Sequence, residues 1–151
     1  MKKSFLIIAF LLISIIGYSQ SRRPFIFGGI GATPTRDVSL SFEAGYWGIE
    51  SSTSFSLTYD VSRNLNTSDQ ATQWVGIKPY FTILDNKEIS LMVYAMPKAN
   101  VSDLTNVLLE YGFNPNYKVG DDNLISLTIG NQVMNTGQTT TFFSFGYIRL
   151  F

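Results

Sequence analysis

Three ionisable side chains stand out by type and spacing: Glu43, Lys78 and Glu110, each set near the middle of a stretch that alternates apolar and polar residues. Two carboxylates and an amine can serve as a paired acid and base, as in glycoside hydrolysis, can line a narrow proton or ion path, or can form an interior salt-bridge network. The chain contains no histidine and no cysteine. That removes imidazole and thiolate metal sites, disulfides, a lipid anchor on an N-terminal cysteine, and the activating base of the usual serine hydrolases. Gly28, Gly29 and Gly31 are not followed by a helical pattern and fit neither GxGxxG nor a Walker spacing, so they make no phosphate cradle. Asp121 and Asp122 follow Gly120 as a turn would, and a calcium site would need more oxygen ligands. Met92 and Met96 read as packing. The expectation is therefore no catalytic residue, no metal site, no cofactor and no enzymatic activity. The three charges keep two readings: a network that fixes register and fills space, or a gate on a narrow path.

The elements that would carry these residues have a period of two, which belongs to strands. Val38, Leu40, Phe42, Ala44 and Tyr46 alternate with Ser39, Ser41, Glu43 and Gly45, and Phe55, Leu57, Tyr59 and Val61 with Ser54, Ser56, Thr58 and Asp60. The rhythm continues through 75–83, 89–96, 107–118 and 125–133, and ends at Thr139 to Phe151. With Phe25 to Ala32, whose glycines suggest a bend or a close backbone approach, the count is eight. Eight is even, so an antiparallel sheet can close with both chain ends on one side. Pro79 must then sit where no ladder donor is required, or at a bulge. The spacing predicts an all-β fold with eight antiparallel up-and-down strands; alternation alone does not separate a membrane barrel from a soluble one, and the loop lengths and the quality of the polar face make the expectation an eight-stranded antiparallel up-and-down transmembrane β-barrel.

Loop lengths support it. Tight turns near Gly48 to Ser52, Asp85 to Lys87 and Gly120 to Asp122 fall on one side. Connections at Thr33 to Arg36, Ser62 to Gln73, Pro97 to Thr105 and Asn135 to Gln138 fall on the other, two of them long, as in membrane barrels. The loop from Ser62 to Gln73 is a candidate contact surface, or a solvated connector. The polar rows hold Ser, Thr, Gly and Asn in place of many Lys and Glu. Such residues suit a narrow lumen, packed around Trp74, Tyr80 and Tyr94, with Val, Leu, Ile and Phe outside. Tyr46, Phe81, Phe113, Tyr117, Tyr147 and Phe151 would form an interfacial girdle at the turn side.

At 151 residues the chain has room for one domain. Only 15% of its residues are charged and the formal net charge is zero, so it has no basic footprint for nucleic acid. Lys2 and Lys3 precede an apolar run from Phe5 to Ile16, which reads as a secretory signal peptide over residues 1–19, too short for a comfortable transmembrane helix. The barrel domain would be residues 20–151. A mature chain starting at Gln20 resembles secreted proteins of the Bacteroidota.

The last strand, TTTFFSFGYIRLF, alternates Phe143, Phe145, Tyr147 and a final Phe151 against Ser144 and Gly146. It resembles the C-terminal signature strand of bacterial outer-membrane β-barrels. The resemblance implies residence in the outer membrane of a Gram-negative cell, contact with its lipid, and recognition by the barrel insertion machinery through Phe143, Phe145, Tyr147 and Phe151. Arg149 shares the apolar face by parity, near the strand end where its stem can snorkel. The implied role is structural, adhesive or accessory to an envelope complex. The competing reading is a soluble periplasmic β-barrel or sandwich that holds a small apolar ligand inside.

Overall fold

The computed structural model describes residues 22–35, 37–48, 53–67 and 70–151. The stretch read as a signal peptide lies outside the described residues, as do 49–52 and 68–69. Eight strands follow one another: β1 (Arg22–Ala32), β2 (Asp37–Gly48), β3 (Thr53–Asn64), β4 (Thr72–Asp85), β5 (Ile89–Asn100), β6 (Val107–Lys118), β7 (Asn123–Met134) and β8 (Thr139–Leu150). Each pairs antiparallel with its neighbours in sequence, and β8 returns to β1 from Phe25 opposite Leu150 to Ala32 opposite Phe143, closing the barrel. The all-β, eight-stranded, up-and-down expectation holds. The sandwich alternative does not, because the sheet is single and closed.

The strands run longer than their sequence pattern announced. β5 continues through Pro97 to Asn100, where a loop was expected, and this carries Lys98 and Asn100 into the interior. β3 and β4 shorten the connection after Ser62 to residues 65–71. The cause is that β6 and β4 supply ladder partners on both sides: Pro97 lies opposite Leu109, and Ala99 opposite Val75 and Val107.

Alternation sorts the two faces. Outward positions carry Ile26, Ile30, Leu40, Phe42, Leu57, Phe81, Phe113 and Phe145, all exposed. Among the described strand residues no Asp, Glu, Lys or Arg points outward except within the last two residues at a strand end, as Arg22, Arg63 and Arg149 do; the bulge in β4 turns Asp85 inward, opposite Ser90. Inward positions carry Glu43, Asp60, Lys78, Lys98 and Glu110 together with Ser54, Ser56, Thr58, Ser90, Asn114, Asn116, Ser126 and Thr128, all buried. A barrel that held an apolar ligand would show the reverse. A twelve-residue strand, such as β2, spans about 28 Å at ~3.3 Å per residue and a tilt near 45°, enough for an apolar band of about 25 Å. Where the wall closes, Gly29 faces Gly146 across the β1–β8 seam, and the Phe27 ring lies against both: a Cβ at either would come within 2.5 Å of it.

Three prolines interrupt the ladders. Odd-numbered backbone groups of β4 and β5 face each other, as Val101 N donating to Gln73 O shows. Pro79 and Pro97 therefore withhold two donors from the β4–β5 seam, whose pairing breaks between Gly76 opposite Lys98 and Tyr80 opposite Tyr94. Pro79 sits at this gap, and the bulge of the same seam lies elsewhere, between Thr82 and Leu84. Pro115 does the same to β6–β7, whose pairing breaks between Phe113 and Asn116. There the loss is repaired, because Asn114 Nδ2 donates to Leu127 O at 3.0 Å, the carbonyl that Pro115 leaves without a donor. No side-chain hydrogen bond reaches Ile77 O or Ala95 O among the described residues, so β4–β5 is the weaker seam.

Replacing Asn114 with Leu, which keeps bulk but removes the donor, should strip Leu127 O of its partner and destabilise the barrel by about 1–3 kcal/mol. Urea titration of the refolded protein measures this, and an unchanged midpoint would mean that the repair contributes nothing.

Candidate functional site

The inward charges form one connected network. Alternation points Glu43 of β2, Lys78 of β4 and Glu110 of β6 into a lumen just wide enough for side chains. Lys78 Nζ lies 2.7 Å from Glu43 Oε1, and Glu43 Oε2 accepts from the Tyr80 hydroxyl at 2.5 Å and from Ser56 Oγ at 3.0 Å. Glu110 has its own cation. Lys98 Nζ sits 2.5 Å from Glu110 Oε2 and 2.7 Å from Asp60 Oδ2, while Gln132 Nε2 and the Tyr94 hydroxyl donate to Glu110 at 3.0 Å each. The halves meet at the tyrosines: Lys78 Nζ stands 4.4 Å from the Tyr94 ring centroid and 4.9 Å from that of Tyr80, and the two rings lie 5.8 Å apart. All five ionised groups are buried, and burial on this scale is tolerable only with near-complete pairing.

Sequence reasoning singled out Glu43, Lys78 and Glu110, and the structure pairs the first two directly. Glu110 takes Lys98 as its ion partner and connects to Lys78 only through Tyr94. Lys98 and Asp60 were missed. Lys98 falls where a loop was expected, and Asp60 was one polar residue among several on its strand. Continuing the alternation of Ile89 to Met96 for one more period would have found Lys98.

Above the network, toward the longer loops, the lumen holds a cavity of about 220 Å³. Ser39, Ser41, Ser62, Thr72, Trp74 and Ser144 line its wall, and the Glu43, Lys78, Asp60, Lys98 and Glu110 cluster is its floor. Below, Phe25, Trp47, Met92, Leu124, Ile148 and Leu150 fill the turn-side half, with Phe25 edge-on to Trp47 at 5.9 Å. Trp74, Tyr80 and Tyr94 are interior fillers, and Met92 and Met96 pack inside. Among the described residues no group of three or more acidic side chains is placed to hold a metal ion.

The C-terminal strand presents Phe143, Phe145, Tyr147 and Phe151 on the outside, all exposed. Its end is pinned at the turn side: Phe151 N donates to Pro24 O at 2.9 Å and Leu150 N to Asp122 O at 2.8 Å. Arg23 Nη2 contacts Asp122 Oδ1 at 2.5 Å, and Arg149 Nη1 donates to Asn123 Oδ1 at 2.7 Å, with the Tyr147 hydroxyl on the same oxygen. Asp122 is thus part of a turn that ties both chain ends. Of the expected girdle, Tyr46, Tyr117, Tyr147 and Phe151 lie at this end, whereas Phe81 and Phe113, both opposite Val93, stand four or more residues in from the turn-side ends of β4 and β6.

No family model matches the chain. No curated protein matches it either. Solved structures do. A de novo designed transmembrane β-barrel superposes with a TM-score of 0.65 at 12% identity, covering 85% of this chain and 95% of the design. Neisserial surface protein A gives 0.64 at 12% identity, over 86% and 96%. The outer membrane protein Ail of Yersinia pestis, in a phospholipid bilayer nanodisc, gives 0.59 at 10% identity, over 85% and 99%. The chain has the fold of small transmembrane β-barrels. At these identities the likeness is one of fold alone.

Two outcomes follow. Lys78→Met leaves buried Glu43 without a cation, and Lys98→Met leaves Asp60 and Glu110 facing each other without one. Breaking a buried pair costs about 3–5 kcal/mol, so both variants should unfold at lower temperature in a heat-modified gel shift, Lys98→Met the more so. Equal, unchanged midpoints would remove the network from the account of stability. At the turn end, the hydrogen bond and charge of Arg23, with a smaller contribution from Arg149, hold the Asp122 carboxyl below the ordinary carboxylate range. Because the folded value is depressed, the tie is intact above the ordinary carboxylate pKa and is lost as pH falls through the folded value. Carboxyl NMR titration should find Asp122 titrating low in the native chain and near the ordinary value in Arg23→Ala.

Proposed function

We propose that this chain is an outer-membrane protein of a Gram-negative bacterium, delivered by the N-terminal signal peptide, whose barrel spans the bilayer and serves a structural, adhesive or envelope-complex role and not an enzymatic one. The observation that carries the reading is the continuous uncharged outer band around a lumen holding every buried ion. In water that arrangement would expose a very large apolar surface, whereas in hydrocarbon the same rows are solvated and the closed sheet leaves its backbone no open edge. The fold shared with Neisserial surface protein A and with Ail, named the attachment invasion locus protein, supports both the location and a role at the cell surface.

In this reading the side that carries the two longer connections, 65–71 and 101–106, faces outward from the cell, and the side with the three tight turns faces inward. The aromatic residues at the turn end, with Arg149 and Arg23 around Asp122, lie at the inner interface, where a cation costs only about 0–1 kcal/mol. The exposed row of Phe143, Phe145, Tyr147 and Phe151 is the segment presented to the insertion machinery. Contact with other proteins falls to the outer loops, chiefly the one within Ser62 to Gln73.

The chain should fractionate with outer membranes and migrate differently on a gel before and after boiling. Recovery of the mature chain as a monodisperse species in detergent-free buffer would sink the proposal.

A further inference from the structure

We infer that the lumen cavity is a binding site for a small, hydroxylated primary amine, such as a free amino sugar, that enters from the water at the loop end. The floor of the cavity is one cation short. Lys78 balances Glu43, but Lys98 alone serves both Asp60 and Glu110, so three buried carboxylates share two ammonium groups. The two acids on Lys98 are not equally satisfied. Glu110 is held through both oxygens by Lys98, Gln132 and Tyr94. Asp60, 5% exposed and lining the cavity, meets its cation only through Oδ2, 2.7 Å from Lys98 Nζ, in an ion pair whose geometry leaves that buried oxygen without a hydrogen bond. A buried carboxylate oxygen left in this way is a strong acceptor aimed at whatever occupies the space beside it.

The rest of the lining specifies the class. Asp37 adds a fourth carboxylate at the mouth, where Thr33, Thr35 and Asn64 hold it and no described cation pairs with it. The cavity therefore carries four carboxylates against two ammonium groups, a field that draws in a cation. A metal ion does not fit, since the described residues offer no cluster of three metal-binding groups. An ammonium does fit: it needs one or two carboxylate oxygens and the face of an aromatic ring, and Trp74 lies directly opposite Asp60 across the β3–β4 seam and lines the same cavity. Hydroxyl groups of a ligand would meet Ser39, Ser41, Ser62, Thr72 and Ser144. At about 220 Å³ the space is below the roughly 300–1,000 Å³ of drug-sized sites, which limits the ligand to a monosaccharide or smaller. The plugged turn half means that the ligand leaves by the mouth it entered.

The two tryptophans of the chain provide the readout, since Trp74 lines the cavity and Trp47 lies in the plugged half. The mature chain, refolded in detergent micelles with labelled indole nitrogens, is titrated with glucosamine, with N-acetylglucosamine and with glucose. Glucosamine should shift the Trp74 indole resonance saturably while leaving Trp47 in place. The two sugars without an ammonium should bind at least about tenfold more weakly, a difference of about 1.4 kcal/mol. Asp60→Asn should weaken glucosamine by a similar factor. If glucosamine leaves Trp74 unmoved, or if glucose and N-acetylglucosamine match it, the inference is wrong. Should Asp60→Asn fail to refold, the comparison of the three sugars on the unmodified chain decides alone. The outcome depends on the lumen and not on where the cell places the protein, so it is separable from the proposed location.

Discussion

A backbone amide surrounded by hydrocarbon has no water to turn to, and a sheet in that environment cannot leave an edge. The closed sheet of this chain meets that constraint. Eight strands joined only by hairpins bring the last beside the first, and the Gly29 and Gly146 approach lets them meet around the Phe27 ring. In the proposed membrane setting the same constraint makes prolines matter more than they would on a solvated surface. Pro115 is accompanied by an asparagine that supplies the missing donor from the lumen side, whereas Pro79 and Pro97 fall on one seam and are left uncompensated. A wall with two uncompensated prolines on one of its eight seams is closed but not uniform.

Closing the sheet with its apolar rows outward dictates what the interior must be. With a side-chain period of two, the residues between the Phe, Leu, Ile and Val positions have nowhere to go but inward. There they must satisfy one another in a space too narrow for bulk water. Short hydroxyls and amides manage this locally, as Asn116 Nδ2 does in donating to Asn114 O at 3.0 Å. Ionised groups need partners from distant strands, so the Glu43–Lys78 and Asp60–Lys98–Glu110 contacts each tie together strands that are not all neighbours. They hold the register that a one-residue slip would destroy by turning every row over.

Alternation was legible in the sequence because it is local: each residue's face follows from its parity once a strand is recognised. Strand number, the sorting of faces, and the inward direction of Glu43, Lys78 and Glu110 all come from it. What failed to show were quantities set by a partner strand. β5 continues past Pro97 because β4 and β6 flank it, and a proline at a gap in a ladder looks, in one dimension, like the start of a loop. Lys98 was lost for that reason. The partner of Glu110 could not be assigned either, since pairing across a lumen depends on strand order and height together. The repair of Pro115 by Asn114 was readable in principle, as an inward-pointing donor beside a proline, but only once the carbonyl it serves was known to face β7.

The lumen is mixed in character below its charges: in the turn-side half Phe25, Trp47, Leu124, Ile148 and Leu150 are buried together with Ser54, Ser90, Asn114, Asn116 and Ser126. The ions stand where that half gives way to the cavity, with the tyrosine hydroxyls directed at carboxylates and the rings packed under Lys78. The arrangement is a charged floor under the cavity, where buried Glu43, Asp60 and Glu110 share Lys78 and Lys98 in the same ion pairs that fix the register of the wall.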